Sequence, residues 1–509
     1  MTHAEPARSE PGQAAAVTEA DVVVVGGGGS GLAAAAEAAR VGRRAILLEK
    51  NPSTGGSTSW SVGSITATGT AHQRRAGIAD SPDEHFEDMA LGAGPLAPRD
   101  NPALRRILVD NMTETVDWLE SLGIVFVGPM PEPPHRHPRM HVVVPNSTSF
   151  AYHLTRHCRR SGVDIRLNTP SQRLLEENGR VVGVEARLPD GSAHEFRARC
   201  GVVLAAGDYS NGRDLKARFA SPDVVGVDAI NATATGDGHR MALELGATVL
   251  NGDIVRGPLM RFLPPEHRSV LQKVPPLTSI ARFMAWSYDH APQGLLRPFL
   301  MSYLTTALGP SPELYREGAV LINNQGERFT DELGQPNLDV AKQPGRVAWI
   351  VFDRAVAATF SAWPHVISTA PGVAYAYLAD YRRNRSDIFH EENTITGLAA
   401  SVGVPADNLE RAISEHNAGG RGARPPLDSP PFCALGPAKS YVVFTDGGLK
   451  VTERLEVVRA DDRVIPGLYA AGSNGQGGLL LEGHGHHLGW AFASGRIAGR
   501  NAAEGVEST

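Results

Sequence analysis

The chain has 509 residues, of which 42% are hydrophobic, with a formal net charge of −6 and an isoelectric point near 6.3. This length predicts a large core and about two domains, and the acidic balance argues against nucleic acid as a partner. No run approaches the about 18 apolar residues of a membrane span. The three cysteines show no C-x-x-C, haem or iron–sulfur spacing, so we expect a cytoplasmic protein.

The chain begins with residues 1–18, whose Ala-, Glu- and Pro-rich composition predicts a disordered tail. A buried strand at Val22–Val25 then leads into a G-x-G-x-x-G turn and a helix at Leu32–Val41. The first glycine allows the tight turn, the second lets the backbone touch a pyrophosphate, and the third lets the helix pack closely on the strand. The turn residues expected to hold the phosphates are Gly26, Gly28, Gly29, Ser30 and Gly31.

A second apolar strand, Ala45–Leu48, ends at Glu49, whose carboxylate lies where a ribose diol would bind. The small-residue loop that follows favours a flavin dinucleotide, because hydroxyl and amide donors must run along its pyrophosphate and ribityl groups. An NAD-binding dehydrogenase is the alternative. Further cofactor contacts are expected from Lys50, Gly55, Gly56, Ser57, Thr58 and Gly63.

The later elements define the predicted domains. Strand-like runs at 181–186 and 202–205, a helix at 103–122 and a hairpin at Asp190-Gly191 belong to the first domain. We expect this domain at 19–254 and again at 433–509, with an inserted cap at 255–432. The predicted class is α/β, a Rossmann-like FAD-binding domain with an α+β cap that binds substrate.

Two segments allow more than one interpretation. The start of the cap, Gly257–Leu304, is rich in aromatic residues that could form core, an apolar wall over the flavin, or a membrane-surface patch. The loop His135–His141 could be a solvated surface loop or a lid at the substrate entrance.

Several motifs in this order resemble one flavoprotein family, that of soluble fumarate reductases, succinate dehydrogenase flavoprotein subunits and 3-ketosteroid dehydrogenases. They are the glycine turn, Val202–Gly207, Thr235–Gly238, Gly326–Glu332, Leu468–Gly472 and the closing helix Leu488–Ala503. The resemblance implies FAD, with added contacts from Ala206, Gly207, Asp237, Gly472, Leu488 and Gly489. Succinate dehydrogenases attach flavin covalently through a histidine in the loop after the ribose acid. Residues 55–58 contain none, which predicts noncovalent FAD.

The resemblance also indicates which substrates this chain can bind, because the family's substrate-binding positions can be compared with its residues. Fumarate reductases of this family hold a dicarboxylate with arginines and histidines, one of which delivers the proton. The four matching positions here are Gly257, Gln335, Phe444 and His487. Without those cations, a site cannot clamp two carboxylates, so fumarate and succinate are improbable substrates.

Ketosteroid dehydrogenases place a tyrosine in a Gly-His-x-Tyr segment beside the flavin, and here His486 takes that position. His484, His486 and His487 together predict an acid/base or oxyanion-stabilising cluster, kept neutral by the start of the closing helix. Some of them could instead only orient the backbone. No metal is expected, because a zinc site would lack a nearby Cys or Asp set. Tyr288 is a further acid candidate.

These observations predict an FAD-dependent oxidoreductase that forms or reduces a C=C bond next to a carbonyl in an apolar small molecule. An external electron donor or acceptor would complete the cycle. The alternatives are a fumarate-reductase-like enzyme acting on a carboxylate and a flavin-binding protein without catalysis.

Overall fold

The computed structural model describes residues 16–265, 273–292, 297, 301, 304–370, 374–420 and 424–505. Residues 1–15 of the predicted tail lie outside the described residues. Residues 16–18 open the first strand instead of belonging to a tail. They pair with residues 194–196, and Thr18 Oγ1 lies 2.8 Å from His194 Nε2. Pairing with a distant strand therefore orders a segment whose local composition favours disorder.

The strands are mostly short. In chain order they are β1 (Ala16–Val25), β2 (Ala45–Leu48), β3 (Ser64–Thr66), β4 (Val125–Met130), β5 (Met140–Val144), β6 (Asp164–Arg166), β7 (Ser171–Glu177), β8 (Arg180–Arg187), β9 (Ala193–Leu204), β10 (Val249–Leu250), β11 (Val255–Arg256), β12 (Leu259–Phe262), β13 (Gly309–Pro310), β14 (Val320–Ile322), β15 (Ala348–Phe352), β16 (Ser368–Ala370), β17 (Ala374–Ala376), β18 (Phe389–Glu392), β19 (Phe432–Tyr441), β20 (Phe444–Thr445), β21 (Gly448–Leu449), β22 (Glu456–Val458) and β23 (Val464–Ala470).

The α-helices with described bounds are α1 (Gly29–Arg40), α2 (Gly56–Trp60), α3 (Ala71–Arg75), α4 (Pro82–Ala93), α5 (Pro102–Ser121), α6 (Thr148–Arg160), α7 (Arg213–Phe219), α8 (Pro222–Val225), α9 (Asp237–Glu244), α10 (Thr278–His290), α11 (Glu313–Arg316), α12 (Pro336–Val340), α13 (Arg354–Thr359), α14 (Leu378–Asn384), α15 (Ile395–Val402), α16 (Ala406–Glu415) and α17 (His486–Glu504). None of these helices is both long and apolar enough to cross a membrane.

The largest sheet confirms the predicted α/β class. Its strand order is β22-β23-β9-β1-β2-β6, with β8 also paired to β9 and β7 to β8. The pairs β9–β1, β1–β2, β2–β6 and β23–β9 are parallel. Val22–Val24 are fully buried, as expected of a central parallel strand with both faces covered. The carboxyl ends of β1 and β2 therefore meet at one edge, where the glycine turn and Glu49 follow.

A second hydrophobic core is built around the antiparallel order β12-β19-β15-β14, with β18 paired to β19. Its buried residues lie between Met260 and Ala438, whereas the first core draws residues from both sides of this segment. We propose that this core is the cap. The predicted boundary at 432/433 falls inside β19, so the structure favours a boundary after Tyr441.

The aromatic start of the cap divides between core and surface. Phe262 and Met301 belong to the second core, whereas Phe283 and Trp286 on α10 are 65% and 57% exposed. Phe299 and Tyr303 lie outside the described residues. The structure also buries His135 and His141, so those two side chains are not part of a solvated loop.

Candidate functional site

The glycine turn leaves space where a phosphate would bind. Gly26 has φ +104°, and a Cβ there would lie 2.4 Å from the Ala205 carbonyl oxygen. A Cβ on Gly31 would lie 1.8 Å from the Gly26 carbonyl oxygen, so α1 can approach the turn only with glycine at this position. No described atom lies within 4 Å of a Cβ on Gly28. The turn therefore exposes backbone at the start of α1, the arrangement that favours an anion.

Glu49 is directed at this turn. Its side chain is buried, Oε2 accepts a hydrogen bond from the Gly27 amide at 2.6 Å, and Oε1 accepts one from the Asn51 amide at 2.8 Å. Oε1 also accepts a hydrogen bond from Asn51 Nδ2 at 2.8 Å, so Oε2 is the oxygen that retains a lone pair for a ribose hydroxyl.

The small-residue loop lies against the same turn. The Gly55 amide donates to the Gly27 carbonyl at 2.8 Å, and the Gly29 amide donates to Thr58 Oγ1 at 3.1 Å. Ser57 is exposed, and its Oγ accepts from Asn231 Nδ2 at 2.8 Å. The first two hydrogen bonds hold the loop against the glycine turn, and the loop's contacts with the cofactor stay a prediction.

The glycine turn, Glu49 and the small-residue loop form what we call the cofactor rim. Residues far along the chain also belong to this rim. A Cβ on Gly472 would lie 2.7 Å from Ser30 Oγ, and Lys50 Nζ pairs with Asp237 Oδ2 at 2.7 Å. The Ala206 amide donates to Asn474 Oδ1 at 3.3 Å, whereas a Cβ on Gly207 would meet no described atom within 4 Å.

Three other predicted contacts have local structural roles. Gly63 accepts a hydrogen bond from the Val143 amide at 2.9 Å, and Leu488 is buried in the first core. A Cβ on Gly489 would lie 2.9 Å from Met112 Sδ, so this glycine permits α17 to pack on α5. The rim as a whole, with its ribose acid, free space at the turn and helix start, fits FAD. The individual contact assignments stay predictions.

The three predicted histidines have different surroundings. His484 is the most accessible, with a side chain that is 37% exposed. Its backbone amide donates to Glu132 Oε1 at 2.8 Å, and its Nδ1 lies 2.5 Å from the same oxygen. Its carbonyl accepts from Thr66 Oγ1 at 2.6 Å, which fixes the segment on β3.

His486 is 1% exposed, and both of its ring nitrogens have protein partners. Nδ1 donates to the Glu482 carbonyl, and Nε2 lies 2.9 Å from His85 Nε2. Burial, reinforced by nearby His135, lowers the pKa of His486 to about 3. The ring is therefore neutral at pH 7, and Nε2 accepts from His85. That His486 acts on substrate stays a prediction.

His487 lies against the ring of Phe444, with 4.1 Å between ring centroids. Burial lowers the pKa of His487 to about 4, although nearby Asp446 opposes the shift. Nε2 is buried, has no hydrogen-bond partner among the described residues, and lies 3.9 Å from Asp446 Oδ1. His487 thus presents a neutral ring with an available nitrogen.

The guanidinium of Arg256 lies close to these groups and acts on the pKa of His487. It pairs with Asp446 Oδ2 at 2.6 Å and also with Glu482. Burial alone would lower the pKa of Arg256, but the two carboxylates outweigh it and raise that pKa. The pairing leaves this cation neutralised by the protein itself.

Two of the four positions predicted to replace the family's cations, Phe444 and His487, are in contact. Arg256 in β11 is paired with Phe444 in β20, and Gly257 follows Arg256 with its Cβ position near the backbone of Tyr441 and Val442. Gln335 is instead exposed just before α12. An apolar ring and a neutral imidazole therefore meet where β20 contacts the start of α17, and that this is the substrate site stays a prediction.

Among the described residues, Tyr288 makes no hydrogen bond or ring contact with the three histidines. It is half-buried on α10, which packs against β4 and β5, and burial raises the pKa of its phenol. Its acid role stays a prediction.

Sequence reasoning missed several polar residues of the site. Arg256 directly precedes Gly257, one of the four changed positions. Its place in the sequence was therefore a signal by which Arg256 could have been found. For the others no local pattern gave a signal: His85, Glu132, Asp446 and Glu482.

Comparison with known proteins agrees with these features. A model of the FAD-binding domain family matches residues 21–262 and 291–479. A probable fumarate reductase of Shewanella frigidimarina is 26% identical over 92% of this chain and 72% of its own length. The open conformation of a flavocytochrome c3 fumarate reductase has a TM-score of 0.70 and 25% identity, covering 96% of this chain and 78% of that one.

A 3-ketosteroid Δ4-(5α)-dehydrogenase from Rhodococcus jostii, in complex with 4-androstene-3,17-dione, has a TM-score of 0.59 and 24% identity. The match covers 95% of this chain and 97% of that one, and at this identity it shows the fold alone. The resemblance predicted from the motifs is confirmed, and so is FAD as the cofactor.

Proposed function

Because this chain belongs to the FAD-binding domain family and is an FAD-dependent oxidoreductase acting on CH–CH groups, we propose that its substrate is an apolar, uncharged carbonyl compound. The reaction would form or reduce the C=C bond next to that carbonyl. Bound FAD supplies the two-electron hydride chemistry. The protein's tasks are to orient the substrate, exclude water, and stabilise charge on the carbonyl oxygen.

The contact between Phe444 and His487 carries this proposal. A dicarboxylate requires unpaired cations, yet the ring of Phe444 covers His487 and Arg256 is already paired with two carboxylates. A neutral imidazole can donate one hydrogen bond to a carbonyl oxygen, and the unpartnered Nε2 of His487 supports His487 as that donor.

A carboxylate substrate is the second candidate, and the relatives favour it because fumarate reductases are among them. Binding would require Arg256 to leave Asp446 or Glu482 for the substrate. The electron donor or acceptor and the cytoplasmic location stay predictions.

An anaerobic flavin assay separates these candidates. Oxidised holoenzyme is mixed with 4-androstene-3,17-dione or succinate, and photoreduced holoenzyme with 1,4-androstadiene-3,17-dione or fumarate, while flavin absorbance is followed. We expect the steroid ketones to change the flavin's redox state and the dicarboxylates to react negligibly. Robust fumarate reduction would favour the second candidate. Flavin unresponsive to every probe would favour a binding protein without catalysis.

A further inference from the structure

A buried carboxylate and an accessible histidine form a pair beside the proposed site. Glu132 is 6% exposed, and its Oε1 lies 2.5 Å from His484 Nδ1. Because an ionised carboxylate only accepts hydrogen bonds, Nδ1 carries the hydrogen and neutral His484 has its lone pair on Nε2. The backbone amide of His484 donates to the same oxygen at 2.8 Å, so ring and backbone are held together.

The position of His484 distinguishes it from its neighbours in sequence. Its side chain is 37% exposed, against 1% for His486, so its ring borders open space. Thr66 on β3 binds the His484 carbonyl, and β3 directly follows Gly63, the last residue of the predicted flavin loop. His484 thus lies between the cofactor rim and open space.

The charged and neutral groups around Glu132 and His484 favour an ionised Glu132 that accepts hydrogen bonds from His484. Burial alone would raise the pKa of Glu132, but hydrogen bonds from His484 more than offset it and lower that pKa. Burial lowers the pKa values of His85, His135 and His486, so these rings are neutral at pH 7. Three nearby guanidinium groups among the described residues are paired: Arg139 with Asp80 and Asp88, Arg136 with Glu87 and Asp88, and Arg256 with Asp446 and Glu482.

We infer that His484 exchanges the substrate proton at the carbon next to the carbonyl, and that Glu132 is the positioning residue that orients its ring. This inference rests on the proposed function. It separates two tasks, since His487 would hydrogen-bond the carbonyl oxygen while His484 would handle the proton.

The step balances in both directions. In oxidation, the C–H bond next to the carbonyl breaks and its proton passes to His484 Nε2, while its electron pair becomes the new π bond. The neighbouring carbon loses a hydride, and its two electrons would pass to bound FAD as the oxidant. In reduction, the hydride returns to that carbon, the π pair takes the proton from His484, and the exposed ring regains a proton from solvent.

The first test measures the pair without substrate. Holoprotein labelled with ¹⁵N-histidine is studied by NMR, and the His484 signals are assigned by their loss in His484→Asn. We expect Glu132→Gln to move the His484 Nδ1–H proton resonance upfield, because a neutral hydrogen bond replaces the charge-assisted one. Glu313→Gln is the matched control, since it removes a carboxylate 3.0 Å from His365 in the cap. An unchanged His484 Nδ1–H resonance in Glu132→Gln would overturn the positioning role.

The second test measures flavin bleaching by 4-androstene-3,17-dione. We expect His484→Asn to retain FAD and react about 10²–10⁴-fold more slowly, the range for general acid–base groups. Glu132→Gln should lower kcat with little change in KM, and Glu313→Gln should match the parent. A parent rate in His484→Asn would overturn the proton role.

If the parent protein reacts with no carbonyl probe, the proposed function fails and the substrate role of His484 fails with it. The NMR result still decides whether Glu132 controls His484, so the two failures can be told apart.

Discussion

Glu49 is a buried carboxylate that connects two segments of the cofactor edge. Its two oxygens accept hydrogen bonds from the amides of Gly27 and Asn51, so the side chain joins the glycine turn to the loop after β2. Removing it would leave buried donors without a partner and would also remove the proposed ribose acceptor.

We expect Glu49→Ala to weaken FAD binding by about 1–3 kcal/mol, the cost of leaving buried polar groups unsatisfied. Calorimetric titration of apoprotein with FAD measures this change. Glu49→Gln, which keeps one acceptor oxygen, should lose less affinity. An unchanged dissociation constant in Glu49→Ala would remove Glu49 from the ribose role.

His487 should contribute to the reaction without holding the cofactor. Its Nε2 has no hydrogen-bond partner among the described residues, whereas both ring nitrogens of His486 are engaged. We expect His487→Phe to retain FAD and to slow flavin bleaching by a steroid ketone about 10²–10³-fold, as for lost oxyanion donors.

Stopped-flow reduction of the holoprotein measures the effect of His487→Phe. The matched control is His390→Asn, because His390 is a histidine of the cap that contacts Ser401 Oγ at 2.8 Å. Equal rates in the parent and His487→Phe would place the carbonyl contact elsewhere.

At the scale of elements, the crossing of α1 and α17 depends on the absence of side chains. A Cβ on Gly499 would lie 2.2 Å from the Ala34 carbonyl oxygen, and one on Gly495 would lie 2.4 Å from that of Ser30. These contacts are with backbone, which cannot move aside as a flexible side chain can. The close approach at Gly495 holds the middle of α17 against the start of α1.

We expect Gly499→Ala to lower the free energy of unfolding by about 1–3 kcal/mol, because the added methyl forces two packed helices apart. Gly226→Ala is the matched control, since Gly226 has φ −83° and a Cβ there meets nothing within 4 Å. Urea unfolding compares the two variants. Equal stability of both would show that the helices can separate without cost.

At the scale of the whole molecule, several histidines are folded into the protein in neutral form. His141, His239 and His486 are at most 1% exposed, and burial lowers their pKa values to about 4, 4 and 3. Their ordinary value is 6.5, so between pH 6.5 and about 4 the unfolded chain binds protons that the folded chain does not.

Stability should therefore be independent of these groups above pH 6.5 and fall as the pH decreases below it. Each group contributes at most about 1.4 kcal/mol per pH unit. Urea unfolding at pH 7.5, 6.0 and 5.0 measures the slope, in a range above the titration of most carboxylates. A free energy of unfolding that stays level down to pH 5 would contradict neutral burial of these histidines.

The sequence by itself determined the features that depend on local spacing. The run Val22–Val25, the glycine turn and Glu49 after the next strand predicted the dinucleotide edge, because strand, turn and helix are adjacent in the chain. The hairpin at Asp190-Gly191 and the closing helix follow from turn chemistry and periodicity in the same way. That the changed family positions make the site poor in free cations stays a prediction.

Only the tertiary structure decided which polar groups meet. Glu132 and His484 are 352 residues apart, and His85 and His486 are 401 apart. Their contacts arise because β3, α4, the loop after β4 and the start of α17 converge, and no local periodicity encodes such a meeting. The same packing gives three histidines that are close in sequence different exposures. His486 is buried, His487 is half-buried and His484 is accessible. Burial and partners, rather than residue type, fix the proton positions on which the chemistry depends.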